Sequence, residues 1–463
     1  MLLPALPLHT MIDRRILARA AGAALALAGA GEATAAAAVF NCADTGTGSL
    51  RAAVNSAASG DTIDMSTLQC SSISLTSGSL GVAVNDLTLI GPATGLTVNG
   101  HPTLPYAPVI VHSGTGTLTV RNMILQHGAT TSPHGGCVSS NGNVELDHGN
   151  VNSCFIAFPD AAGCPALGGG IYAKGNLTVL DSVVSNNAAS CYSGSALIKV
   201  KEYGGGLFAG GNMTVRRSSI TANYVGGVNI NSFSYAYGAG LSLRGNLEVT
   251  DSTISGNNAG ATDCLYSTFG SGGGIHVPNA ASIVTITNST ISGNTATVFE
   301  AGMFTAGALV LSNSTIAFNS TSAGTSQHGH EYAPGLHVQN TSANLQSSII
   351  ANNKFDSCSA GGFLEDLTGL GATIVGANNL IMGSTVAPGG SLTSDPLLEP
   401  LSNNGGPTAT HKPGPGSPAI AHGNNAAGLP FDQRGPGHAR AYAGAVDIGA
   451  FQTGDSPFNS GFE

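Results

Sequence analysis

Short runs of alternating apolar and polar residues recur along most of the chain. In the run from 247 to 250, Leu247 and Val249 are apolar while Glu248 and Thr250 are polar, the period of a half-buried strand. The next apolar position, Ile254, stands an odd number of residues from Val249. A continuous strand would turn Ile254 to the opposite face. A bend must therefore fall near Asp251-Ser252, with a second strand beyond it.

The same unit repeats. LTVLDSVVSNN (177–187), MTVRRSSITAN (213–223), LEVTDSTISGN (247–257), VTITNSTISGN (284–294) and LVLSNSTIAFN (309–319) align without gaps. LTVRNMILQHG (118–128), NVELDHGNVNSC (143–154) and NLQSSIIANN (344–353) are weaker copies. In the five good copies a polar residue (Asp181, Arg217, Asp251, Asn288, Asn313) is followed at once by Ser. Val or Ile comes three residues after the polar residue, and Asn six after it, at Asn187, Asn223, Asn257, Asn294 and Asn319. Strand, bend, strand and a corner Asn make the coil of a solenoid, each coil stacking on the next. Stacked Asn side chains form amide ladders.

The spacing of the copies adds a second feature. Asn288 and Asn313 are 25 residues apart, one bare coil, whereas the steps 181 to 217, 217 to 251 and 251 to 288 are 36, 34 and 37 residues. The excess falls each time between the corner Asn and a glycine cluster: Gly168–Gly170, Gly204–Gly206, Gly238 with Gly240, and Gly272–Gly274. Inserts in register project from one side of a solenoid, and such a side is often the binding face.

Composition narrows the class. Only 9% of residues are charged, too few to cover many exposed helices, and 66 glycines suit short strands broken by turns. A net charge of -10 excludes a nucleic-acid partner, which needs a basic face. At the N-terminus Arg14, Arg15 and Arg19 precede an apolar run from Ala20 to Ala30 and a small-residue zone through Ala38. That is the pattern of a secretory signal peptide over 1–38, with Met11 an alternative start. No later run is long enough to span a membrane. An exported protein meets an oxidising compartment, so the eight cysteines are expected in disulfides, with Cys42–Cys70 and Cys164–Cys191 the favoured neighbours.

Residues 50–58 (LRAAVNSAA) read as one amphipathic helix and 60–65 as a first strand, a cap that shields the first coil's open edge. GSLRAAVNSAASGDTID resembles the N-terminal cap of a family of secreted bacterial β-helix proteins, with Ala52 where that family usually has Glu. The segment SDPLLEPLSNNGGPTATHKPGPGSPAI…DQRGPG…VDIGAF (394–451) is similar to the choice-of-anchor Q domain, departing from it at Ala445 and Gln452. The closing FNSGFE resembles short tails of exported proteobacterial proteins. These resemblances imply an all-β, single-stranded right-handed parallel β-helix of the pectin-lyase-like kind, with an N-terminal helical cap. The expected organisation is a signal peptide (1–38), a cap (39–66), a β-helix with inserted loops on one face (67–392) and a C-terminal capping or anchoring segment (393–463). The resemblances imply fold and export, to the extracellular space or the outer cell surface, and no reaction.

Candidate chemistry concentrates in the inserts. Tyr192, Tyr203, Tyr235, Tyr237, Tyr266 and Tyr332 offer flat rings with a hydroxyl, suited to sugars or a protein surface. Should the protein be an enzyme, a polysaccharide lyase or glycoside hydrolase, Glu202, Asp263 and Glu300 are the candidate acids and His276 the candidate base. The polygalacturonase signature is absent; Gln327-His328-Gly329-His330 is its nearest approach. Asp181, Arg217 and Asp251 share one corner of successive coils and are expected to form a charge ladder, not a catalytic carboxylate pair. No cysteine pair or ligand cluster has metal-site spacing, so no metal or cofactor is expected. The leading expectation is a monomeric, non-enzymatic binding or adhesion module for a polysaccharide or cell-surface ligand.

Overall fold

The computed structural model describes residues 38–100, 106–159, 165–192, 200–226, 234–260, 268–321, 333–355 and 365–454. Among them the chain winds as a parallel β-helix. Three long sheets run its length: a first of 11 strands from Asp61–Asp64 to Thr373–Ala377, a second of 11 from Ser72–Ser74 to Leu380–Ile381, and a third of 10 from Leu80–Val82 to Leu367–Leu370. Each coil visits them in that order, and every strand pair between coils is parallel, as in Leu247–Thr250 on Met213–Arg216. The alternation read from the sequence is the burial pattern: Leu247 and Val249 point into the core while Glu248 and Thr250 point out.

The two corners of the repeat have a backbone cause. The polar residue after the first-sheet strand is left-handed in coil after coil: Asn122, His148, Asp181, Arg217, Asp251, Asn288, Asn313, Ser347 and Asn378 have φ between 47° and 55°. Asn and Asp tolerate this region better than other residues with a Cβ. The Ser that follows turns inward to accept a backbone N–H from the coil before it: Ser182 N–H donates to Ser218 Oγ at 3.1 Å, and Ser218 N–H to Ser252 Oγ at 3.1 Å.

At the second corner the expected amide ladder is present and buried. Asn187 Nδ2 donates to Asn223 Oδ1 at 3.0 Å, Asn223 to Asn257 and Asn257 to Asn294 at 2.9 Å, then Asn294 to Asn319 at 2.9 Å and Asn319 to Asn353 at 2.8 Å. Each Oδ1 also accepts the preceding rung's backbone N–H, and each Nδ2 reaches a carbonyl such as Ile220 O. A buried amide is tolerable only when its donors and acceptor are all engaged, and stacking supplies the partners.

The described ends of the inserts are strands. Their roots form two further sheets: one of 8 strands from Ala129–Thr130 to Lys354–Phe355, and one of 4, Pro165–Leu167, Val200–Tyr203, Ser234–Tyr237 and Thr268–Ser271. Small residues (Ala166, Ala189, Val225, Ala236, Ala259, Ala296) face one another between these sheets as a second, thinner core.

At the N-terminus the helix α1 (Leu50–Ser56) is capped by Ser49 and buries Leu50, Ala53 and Val54. Arg51 pins it by pairing with Asp44 at 2.7 Å and donating to Gly78 O and Ser79 O. The disulfide Cys42–Cys70 forms as expected, and an unexpected one joins Cys137 to Cys154. Cys191 is also disulfide-bonded; Cys164, its expected partner, lies outside the described residues.

The C-terminal segment lies along the side of the solenoid. It covers the outer face of the second sheet, where Thr253, Thr290, Thr315 and Ile349 are buried. Thr253 Oγ1 donates to Ala409 O, Thr290 Oγ1 to Gln433 Oε1, and Ser292 Oγ meets His411 Nε2 at 2.7 Å. Gln433 adds to this attachment, its Nε2 donating to Thr253 Oγ1 at 2.9 Å, while two buried arginines hold the segment's own turns together. Arg440, fully buried, donates to Gly449 O, Asp447 O and Phe451 O. Arg434 pairs with Asp432 at 2.6 Å beneath the Phe451 ring.

In the expected corner ladder Arg217 acts on Asp251 through charge and hydrogen-bonds only to Asp181. Arg217 grips Asp181 at 2.6 and 2.7 Å, whereas Asp251 accepts from Asn288 Nδ2 at 2.9 Å. The C-terminal segment also reaches this corner, where Thr408 Oγ1 donates to the Asp251 backbone carbonyl, and burial raises the Asp251 carboxyl above the usual range.

Candidate functional site: an aromatic trough

The insert sheet and the third sheet meet at the glycine clusters, and their outward faces carry rings. In the third sheet each strand has two core positions around one outward residue, and parallel register stacks the outward ones as Tyr172, Phe208, Ser242, His276, Phe304 and His337. Tyr172 and Phe208 stack at 5.8 Å, His276 and Phe304 at 5.2 Å. In the four-stranded sheet Tyr203 lies on Tyr237 at 5.0 Å and Tyr235 on Phe269 at 5.4 Å.

The two rows touch. Tyr237 stands 4.7 Å from His276, and Tyr203 6.3 Å from Phe208. Outward faces of two sheets make contact only when the corner between them is re-entrant, so the rings form a shallow trough along the solenoid axis, with Phe208, His276 and His337 buried beneath it and Tyr172, Tyr203, Tyr235, Tyr237 and Phe304 half-buried at its surface. Glycine permits the corner. Gly204 and Gly238 have φ of 67° and 61°, and a Cβ there would sit 2.2 and 2.3 Å from the carbonyl oxygens of Leu207 and Leu241.

The electrostatics of the trough follow from burial. Burial pushes the Tyr237 phenol up to about 12, and raises those of Tyr203 and Tyr172. Complete burial drops His276 to about 3, so its ring is neutral at any physiological pH. Arg244 lies over the Phe208 ring at 5.8 Å, a cation–π contact.

The structure sorts the candidate residues. Tyr203, Tyr235 and Tyr237 come together on one wall. The side chain of Tyr192 is not described, and Tyr266, Tyr332, Asp263, His328 and His330 lie outside the described residues. Glu202 turns the other way, into the small core, where its oxygens accept from Cys191 N–H at 2.9 Å and Ser234 Oγ at 2.8 Å. Glu300 is also buried, accepting from Ser271 Oγ at 2.6 Å and lying 3.0 Å from His337 Nδ1. His276 contributes a ring to the trough floor and no basicity. The inserts' strand roots thus turn the candidate acids Glu202 and Glu300 inward.

Tyr172, Phe208 and Phe304 escaped the sequence reading, though their signal exists. GGIY, GGLF, GGIH, AGMF and PGLH all place a ring two residues after a cluster's last glycine. Elsewhere, Asp147, His148 and Asp181 bring one ligand atom each within 4.8 Å of one another. Both carboxylates are already neutralised, by Arg121 and Arg217 at 2.6 Å, so this corner is read as an ion-pair cluster. A second concavity of about 560 Å³ lies under the C-terminal segment, walled by Phe318, Leu398, Pro400, Leu401 and His411. No helix among the described residues is long and apolar enough to cross a membrane.

The fold is that of a parallel β-helix protein. Compared with known proteins, the chain matches no family model, no curated sequence and no solved structure.

Proposed function

We propose that the protein is an exported binding module that takes a glycan, on a polysaccharide or a neighbouring surface, along the aromatic trough. The observation that carries this reading is the convergence of two ring rows at Tyr237 and His276, 4.7 Å apart. Sugar rings present flat C–H faces that pack on aromatic rings, while phenol hydroxyls serve the sugar's own hydroxyls. A row repeating once per coil suits a long ligand with its own short repeat. Export rests on the signal-peptide pattern of 1–38 and on the choice-of-anchor Q-like segment at 393–463.

Binding is favoured over turnover by the state of the acids. A lyase or hydrolase needs a carboxyl or a base that touches the substrate. Glu202 and Glu300 have both oxygens engaged below the surface, and His276 is neutral and buried.

The test incubates the purified protein with acidic and neutral polysaccharides, following retention by affinity electrophoresis and the appearance of reducing or unsaturated ends. Retention without product, weakened by Tyr203→Ala, supports the reading. New chain ends would make the protein an enzyme and direct the search to Asp263. Retention by no polysaccharide would remove the glycan assignment.

A further inference from the structure

On the flank where the C-terminal segment docks, two side chains have the geometry of an acyl-transfer centre. Ser292 ends the second-sheet strand Thr290–Ser292, and because Ile291 points into the core, the Ser292 hydroxyl stands on the outer face. The segment lays His411 against it, with Oγ 2.7 Å from Nε2. The other ring nitrogen, Nδ1, lies 2.7 Å from the carbonyl oxygen of Glu399. A carbonyl oxygen can only accept, so Nδ1 carries the hydrogen. Burial lowers the His411 pKa below its ordinary value, so the ring is neutral at pH 7, and the Nε2 lone pair takes the hydrogen of Ser292 Oγ. A serine bonded to a base that a third group orients is the arrangement that activates a hydroxyl as a nucleophile.

The base is fixed by its own hairpin. Glu399 N–H donates to Lys412 O at 2.8 Å, Asn404 Nδ2 donates to Thr410 O at 2.9 Å, and Ala409 O takes the Thr253 hydroxyl of the solenoid. Ser292 and His411 both line the concavity of about 560 Å³, whose other walls include the apolar Phe318, Leu398, Pro400 and Leu401, a size common among small-molecule sites. Glycine opens this space. The left-handed corner after the second-sheet strand is Asn186, Ala222, Gly256, Gly293, Phe318 and Asn352 in successive coils, with φ between 55° and 63°. Ala222 and Phe318 show that this corner accepts a side chain, and a Cβ on Gly293 would meet nothing within 4 Å. What Gly256 and Gly293 provide is therefore room beside Ser292. The Phe318 ring closes that room on the next coil, 5.0 Å from the His411 ring.

We infer that Ser292 and His411 are the nucleophile and general base of an ester hydrolase, whose substrate places a hydrophobic acyl group in the concavity under the C-terminal segment. Ser292 Oγ attacks the ester carbonyl carbon while His411 Nε2 accepts its proton. The tetrahedral adduct expels the alcohol, which leaves with that proton, and the acyl group stays on Ser292. Water then gives a proton to Nε2 and adds to the acyl carbon. Ser292 departs with the proton, and the carboxylic acid is released. Ester and water become acid and alcohol, with no other reactant. This activity sits on the second sheet and is independent of what the trough binds.

The experiment exposes the purified wild-type protein to a fluorophosphonate probe, which reacts with activated serines, and to p-nitrophenyl acetate, butyrate and octanoate. The probe should add once, at Ser292 by peptide mass mapping, and p-nitrophenol should be released faster from butyrate or octanoate than from acetate. Ser292→Ala and His411→Gln should each lower turnover about 100-fold or more and abolish labelling. Hydrogen exchange over 394–413 should stay protected in Ser292→Ala, which separates lost chemistry from a lost docking contact. Absence of labelling at Ser292 in the wild type would overturn the inference, whatever the variants do. Turnover retained in Ser292→Ala would overturn it as well, and either result would leave the pair as a docking contact alone.

Discussion

Asn353 donates its Nδ2 to Oδ1 of Asp366 at 2.8 Å, and with that bond the amide ladder ends. Each rung hands a donor to the next, so the last group must accept without donating onward. A carboxylate meets that requirement. Oδ1 also takes the Asn353 N–H, and Oδ2 takes the Gly383 N–H at 2.8 Å from the chain closing the coil. One acid thus joins the ladder to the C-terminal end of the solenoid.

Interrupting the ladder should be costly. In Asn257→Ala the Nδ2 and N–H of Asn223 lose their acceptor, and Ile220 O and Asn294 Oδ1 lose a donor. Buried groups left unpaired cost about 1–3 kcal/mol each, so a loss of about 3 kcal/mol or more is expected in urea unfolding. Hydrogen exchange should show the lost protection centred on the coils of Asn223 and Asn294. Asn344→Ala, exposed on the first sheet, should change stability by about 0.5 kcal/mol or less.

Asp366 should make stability depend on pH. Burial lifts its carboxyl to about 6, against the pull of the Asn353 and Gly383 donors. Its folded value thus lies above the unfolded value near 3.8. Its stabilising contribution is complete below the unfolded value and is lost as pH rises through about 6. The two-unit shift corresponds to about 3 kcal/mol. Subtracting the unfolding free energies of Asp366→Asn from those of the wild type, pH by pH, should give a difference that falls between pH 4 and 6 and is flat above 7. A flat difference throughout would reject the assignment.

Arg440 holds the fold of the C-terminal segment, on which its docking to the solenoid depends, by donating from a fully buried position to three of the segment's own carbonyls. Arg440→Met removes the charge and leaves those carbonyls unpaired, a loss of about 3–5 kcal/mol. The segment is expected to detach before the solenoid opens. Limited proteolysis should then cut within 393–454 while the repeats survive intact. Simultaneous loss of both would show that the segment is integral to the solenoid's stability.

The cap should respond to reduction. Cys42–Cys70 closes a span of 28 residues, for which loop entropy gives about 3–4 kcal/mol. Cys42→Ser with Cys70→Ser should expose α1 to hydrogen exchange and lower the melting temperature of the N-terminal coils. Protection around Asn294 should be unchanged, since a solenoid's coils are coupled mainly to their neighbours.

Much of this was legible because a solenoid makes its long-range contacts a repeat of local ones. Leu247, Val249 and Ile254 set faces and bend by parity alone, and Asn187 to Asn319 announce a ladder because each coil stacks in register on the next. The trough was half legible. Tyr203 and Tyr237 were found by their enrichment in the inserts, but Tyr172, Phe208 and Phe304 lie singly in glycine-flanked strands, where local pattern gives no hint of a facing wall. The burial of Glu202 and Glu300 was hidden from the sequence for the same reason. An acid between tyrosines reads as exposed until the insert folds back as a strand and turns it toward Cys191, Ser234 and Ser271.

The sequence by itself therefore determined the coil, its corners, its amide ladder and the side on which the inserts stand, because those depend on spacing within one repeat. The tertiary structure alone decided three things: that two insert sheets enclose a second core, that two ring rows meet across a re-entrant corner, and that residues 393–454 lie along the flank. Each depends on how one segment approaches another distant in the chain. Such an approach is set by packing and by the pairing of buried polar groups, and no repeat period encodes it.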